Sequence, residues 1–252
     1  MSAALTPAAP RDASGGMMGL RARIADAARF MWRPTPGGAP LAWGRALVLA
    51  LLAVFAFDMA LDTLVVAATD LLDSQMPFLP AEIAEETTLA EDLFGYLLLA
   101  PVLEELVYRG WLTGRVAALR FAIYGFAAVG LFTASVFLPA SLETPLSLAG
   151  VGVAFAGLIH WSLTRDRDTA VPGWFTRHFR WFVWGSALLF GLMHLGNYEA
   201  LTHPLGVLVV LPQTIGGLLL AYTRTRLGLG AAMFHHAAYN AVFLAGDYGL
   251  LW

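Results

Sequence analysis

Cysteine and lysine are both absent from the 252 residues, and all fifteen basic residues are arginine. Without thiols the chain holds no disulfide, no thiolate metal centre and no Cys nucleophile. Charge is scarce as well: 13% of residues are charged, against about 25% in ordinary soluble domains. With 58% hydrophobic residues and a mean hydropathy of +0.67, that deficit implies an integral membrane protein. No basic n-region leads directly into an apolar core at the N-terminus, so no signal peptide is expected. Membrane lipids and a peptide or membrane-protein substrate are the expected partners; nucleic acid is not.

Apolar runs predict an all-α, polytopic transmembrane bundle of about seven spans, near 43–67, 92–110, 119–138, 146–163, 180–199, 205–222 and 228–248. Residues 1–40 read as a disordered and then amphipathic cytoplasmic segment, and 41–252 as the membrane domain. The first sixteen residues are rich in Ala, Pro, Ser and Gly, a disordered composition. Beyond them Met17, Leu20, Ile24, Ala28 and Met31 recur at helical spacing among arginines. Arginine and acid alternate from loop to loop. Loop 68–91 carries Asp70, Asp73, Glu82, Glu85, Glu86 and Glu91 with no arginine, whereas Arg115 and Arg120, Arg165 to Arg180, and Arg224 and Arg226 mark the opposite side. The positive-inside rule then puts the N-terminus in the cytoplasm. Trp43, Trp111, Trp161, Trp181 and Trp252 fall near span ends, as an aromatic belt requires.

The second span is the one that breaks the hydropathy pattern. Ala100-Pro101-Val102-Leu103-Glu104-Glu105-Leu106-Val107-Tyr108-Arg109 carries two carboxylates and a guanidinium, each costing roughly 2.5–3.5 kcal/mol near the centre of a membrane helix. Glu105 and Arg109 stand four apart and can pair. Glu104 points about 100° away on a helix of 3.6 residues per turn. Arg109 can thus neutralise Glu105 while Glu104 is kept for chemistry.

Two further spans carry polar groups. Phe190 and His194 share a helical face, as do His236 and Asn240, with His235 turned about 100° from His236. Buried polar groups need partners, and one shared cavity would supply them. A carboxylate beside an imidazole can activate water as a general base, and a second imidazole with a carboxamide can stabilise an oxyanion. The same groups, Glu104, His194 and His236, could instead hold zinc with an open water position, although H-E-x-x-H is absent. Asp58 and Asp62 share a face of the first span and suit a wet cavity, the outer interface or a proton relay. His160, His178 and His203 read as interfacial or solvated. Gln213, Gly216 and Gly217 read as close helix packing, and His235 as a hydrogen-bonding neighbour of the site. Tyr108 and Asn197 fall near it without an assignable role.

Glu104-Glu105-x-x-x-Arg109, Phe190-x-x-x-His194 and His236-x-x-x-Asn240, in that order, resemble the CPBP intramembrane endopeptidases, the CAAX-processing and bacteriocin-processing (Abi) group. The resemblance covers about residues 92–245. It implies that Glu104 activates the hydrolytic water with help from His194. His236 and Asn240 would form the oxyanion site, while Glu105 and Arg109 hold the helix, with Phe190 in support. A metal-free, glutamate-and-water mechanism is favoured over a zinc one, since an amide is a poor zinc ligand. Ninety positions separate Glu104 from His194, more than the family usually allows. The surplus matches an inserted hairpin, 119–163. A catalytically silent scaffold or bacteriocin-immunity protein, or a proton-coupled transporter, are the alternative readings. The Ala- and Arg-rich composition without lysine suggests a GC-rich bacterium, hence a multi-pass protein of its inner membrane.

Overall fold

The computed structural model describes residues 18–38, 40–84 and 87–250. The segment read as disordered, Glu85, Glu86 and Trp252 lie outside them. The described residues are helical, with an isolated bridge between Glu82 and Tyr198 in place of any strand. They fall into two compact units, one of residues 1–102 and 179–252 and the other Leu103–His178.

The first unit contains α1 (Leu20–Trp32), α2 (Arg45–Gln75), α3 (Leu89–Phe94), α7 (Gly173–Met193) from Phe179 on, α8 (Leu211–Arg226) and α9 (Leu229–Asp247). At 31 residues, α2 is about 46 Å long at 1.5 Å per residue, and exceeds the 43–67 segment expected from hydropathy. Its acidic end stays helical, and Asp73 closes the following turn by accepting from the N–H groups of Phe78 (2.6 Å) and Leu79 (2.7 Å). At the opposite end of α2, Leu47 and Ala50 pack with Leu227 and Ala231, where α8 turns into α9. That turn uses Gly228 at φ 114°, a conformation that disfavours a side chain. α1 docks by one face: Ala27 and Phe30 are buried, and the Phe30 ring meets Phe179 and Tyr222 edge-on at 6.5 and 5.5 Å. Near the end of α7, Gly191 passes so close to α8 that a Cβ would fall onto the Thr214 hydroxyl and within 3.1 Å of the Val210 carbonyl.

The second unit runs from the end of α4 (Ala100–Glu104) through a π turn (Glu105–Arg109) and a 3₁₀ turn (Gly110–Thr113) into α5 (Val116–Phe137) and α6 (Glu143–Thr164). Gly114, at φ 71°, ends the irregular stretch with its Cα against the Phe175 ring. The first N–H groups of α5 are satisfied by the carbonyls of Ala170 and Asp168, and Arg120 pairs with Asp168. α5 and α6 meet through small residues, as membrane helices do. A Cβ at Gly157 would lie 2.5 Å from that of Tyr124, and one at Gly150 would meet the Phe132 ring at 3.1 Å. Their outer faces expose Ile123, Phe137 and Phe155 by 60% or more, the kind of apolar surface that faces a membrane or another protein.

Among the described residues, four stretches are long and apolar enough to cross a membrane: Arg45–Gln75, Val116–Phe137, Ala140–Thr164 and Pro204–Arg226. The segment expected at 92–110 is not one regular helix. It passes from α3 through a π turn (Gly95–Leu99), α4, the second π turn and the 3₁₀ turn. Pro101 explains part of this, because it has no N–H to offer the preceding turn.

Candidate active site

In the second unit, the π turn after α4 keeps the two acids distinct. Glu105 and Arg109 are both fully buried, and Arg109 Nη1 donates to Glu105 Oε1 at 2.8 Å. The guanidinium also lies 5.7 Å from the centre of the Tyr108 ring, a cation–π distance. Tyr108 itself packs edge-on against Phe126. Glu104, the last residue of α4, is half-buried. π turns recur at functional sites because they re-aim side chains that a regular helix would fix.

In the first unit, α7 ends at Met193, and His194 opens a 3₁₀ turn (His194–Asn197). His194 Nδ1 lies 2.8 Å from the Phe190 carbonyl. A carbonyl only accepts, so Nδ1 is the donor in this bond. The Phe190 ring stands 4.6 Å from the His194 ring and 5.7 Å from that of His236, edge-on to both. Phe190 thus serves as the wall shared by the two imidazoles.

Asn240 is anchored by a consequence of the first π turn. The Ala100 N–H bonds to Gly95 O rather than to Tyr96 O. The next residue is Pro101, which has no N–H. The Tyr96 carbonyl takes its bond from Asn240 Nδ2 instead, at 2.8 Å. One of the two amide hydrogens of Asn240 is committed there; the other remains to the side chain.

A second polar group in the first unit went unrecognised as a unit in the sequence. His235 is buried, with Nδ1 3.0 Å from Thr223 Oγ1 and Nε2 3.1 Å from Asp58 Oδ2. One turn along α2, Asp62 Oδ1 accepts from the Tyr239 hydroxyl at 2.6 Å. Both aspartates are buried and partnered rather than wetted, and Gly216 of α8 lies beside the Asp58 carboxylate, its Cβ position being in ordinary contact with Oδ1 at 3.8 Å. The partners Thr223, Tyr239 and the Tyr96 carbonyl carried no motif. Only the Tyr96–Pro101 spacing hinted at one of them. Among the remaining histidines, His160 meets the Tyr124 hydroxyl at 3.1 Å, His178 the Trp174 carbonyl at 2.9 Å, and His203 accepts from the Leu205 N–H at 3.1 Å.

The Phe190 ring therefore gathers His194 and His236, and Asn240 bonds to the Tyr96 backbone; in the other unit Glu104 ends α4, and Glu105 and Arg109 open and close the π turn that follows it. Among the described residues no three His, Asp or Glu side chains are grouped to hold a metal ion. A family model described as type II CAAX prenyl endopeptidase, Rce1-like, matches residues 87–171 and 167–242. No curated protein and no solved structure matches the chain.

Proposed function

Because the chain belongs to the Rce1-like family of type II CAAX prenyl endopeptidases, we propose that it hydrolyses peptide bonds of membrane-associated peptides or proteins, within or beside the bilayer, by a glutamate-activated water. Glu104 takes a proton from water, with His194 in the assisting role that the family resemblance implies. The water oxygen attacks the scissile carbonyl carbon, and negative charge gathers on the carbonyl oxygen. Hydrogen bonds from His236 and from the second N–H of Asn240 oppose that charge. As the C–N bond breaks, Glu104 returns its proton to the leaving nitrogen. The buried Glu105–Arg109 pair holds Glu104 in place. No step runs through a metal.

The observation that carries this reading is the pairing of His194 and His236 on the Phe190 ring, with the His194 ring held by its Nδ1 bond to the Phe190 carbonyl. Seven spans, a cytoplasmic N-terminus and a bacterial inner-membrane location belong to the same proposal, supported by the loop-by-loop placement of arginine. The substrate class is a peptide or protein tethered to the membrane.

The test is Glu104→Gln in purified protein assayed on a membrane-tethered reporter peptide. Cleavage is expected to fall by roughly 10²–10⁴-fold, the usual worth of a general base, with the melting temperature unchanged and with chelators leaving wild-type activity intact. A variant that still cleaves overturns the assignment. A wild-type protein that cleaves nothing but loses pH-dependent transport on this substitution is a transporter.

A further inference from the structure

The proposed chemistry leaves unused a cleft of about 420 Å³ in the first unit, lined by α1, the segment following it, and the end of α8. Three guanidiniums border it: Arg29, Arg33 and Arg226. Arg226 is nearly buried and pre-set. Its Nη1 donates to the carbonyls of Thr35 and Pro36 at 3.1 Å, its Nη2 to Thr35 Oγ1 at 2.6 Å, and its plane lies 5.3 Å from the Phe30 ring. Arg29 and Arg33 stand four apart on α1 and its C-cap, both exposed, so they are neighbours on one helix face.

One acid, Asp26, faces this set, and it is already shared. Its carboxylate lies 3.9 Å from Arg29 and 3.8 Å from Arg226, and it accepts from the Tyr222 hydroxyl at 3.0 Å. Three cations against one anion leave the lining with an excess of two positive charges. The cleft therefore suits an anion, and arginine forks match the oxygens of a phosphate.

Its place in the fold says which phosphate. The cleft lies where α2 begins at Arg45 and α8 ends at Arg226, tied together by the Leu47, Ala50, Leu227 and Ala231 cluster. α2 and the stretch Pro204–Arg226 that ends in α8 are long and apolar enough to span a membrane, so their shared end lies at the height of the lipid headgroups. Trp32, 75% exposed, borders the cleft, and indole rings favour that interfacial layer. α1 has already spent its buried face on Phe179 and Tyr222, leaving arginines and an indole outward. We propose that this cleft binds the phosphate headgroup of an anionic phospholipid, whose acyl chains stay in the bilayer.

Native mass spectrometry of the full-length protein in detergent tests this, with phosphatidylglycerol, phosphatidylcholine and inorganic phosphate as probes. The Arg29→Gln/Arg33→Gln double variant removes two exposed charges that hold no core contact. Arg165→Gln/Arg167→Gln, equally exposed in the other unit, controls for lost charge. Phosphatidylglycerol is expected to bind wild type and the control alike, more tightly than phosphatidylcholine. The Arg29/Arg33 variant is expected to bind it at least about tenfold more weakly. Equal binding of the two lipids, equal losses in both double variants, or no loss in either overturns the site. Displacement of phosphatidylglycerol by millimolar inorganic phosphate overturns the lipid assignment in favour of a soluble phosphate ligand.

Discussion

At the scale of single residues, the arginine of the π turn is the most exposed to test. Arg109 and Glu105 are buried without solvent screening, and removing one partner from such a pair typically costs about 3–5 kcal/mol because a charge is left behind. Arg109→Met is expected to lower the melting temperature measurably as well as abolish cleavage, whereas Glu104→Gln lowers cleavage alone. Differential scanning fluorimetry in detergent separates the two. Asn240→Asp combines both effects for another reason. It replaces the N–H that bonds to the Tyr96 carbonyl with a carboxylate oxygen, so about 0.5–1.5 kcal/mol of stability is expected to go together with the oxyanion contact. Loss of activity with an unchanged melting curve would show that the Tyr96 bond carries no weight.

At the scale of elements, the capping box that starts α3 gives a pH prediction. Thr88 Oγ1 accepts from the Glu91 N–H at 3.4 Å, and Glu91 accepts from the Thr88 hydroxyl (2.7 Å) and N–H (2.9 Å). The Thr88 hydroxyl, and then its N–H, hold the Glu91 carboxyl below its ordinary 4.5. A depressed carboxylate stabilises the fold above its unfolded value and loses that contribution as pH falls through the folded one. The start of α3 is therefore expected to fray only below pH 4.5. Thr88→Ala, which keeps the backbone N–H but loses the hydroxyl, is expected to weaken that pH dependence of hydrogen exchange at residues 89–92; an unaltered acid limb would exclude the box as its source.

The same element marks where sequence reading succeeds and where it stops. Helical period located Glu105 and Arg109 on one face, and the pair meets there even though the turn is π rather than α, because four residues still complete about one turn in either. Period could not reveal that 92–110 breaks into short pieces. That depends on Gly95 and Pro101 redirecting individual backbone bonds, which hydropathy averages away. Nor could it find Thr223 and Tyr239, since a hydroxyl on an apolar helix acquires meaning only from what faces it, here His235 and Asp62. Hydropathy does not show the acidic tail of α2, because charge ends a membrane segment without ending a helix.

At the scale of the whole molecule, the lack of cysteine turns topology into a clean experiment. Single cysteines at Gly19, Leu89 and Arg167 give one reactive thiol each in an otherwise silent protein. A membrane-impermeant maleimide applied to intact cells is expected to label position 89 and to spare 19 and 167 until the membrane is opened. Labelling of 167 from outside would invert the orientation inferred from arginine placement.

Gly191 lies one residue after Phe190 and three before His194, at a point where nothing larger than hydrogen fits between α7 and Thr214. The imidazole therefore inherits its height from main chain pressed against a neighbouring helix, not from a side chain able to swing between rotamers. Such a seam yields as a whole or not at all.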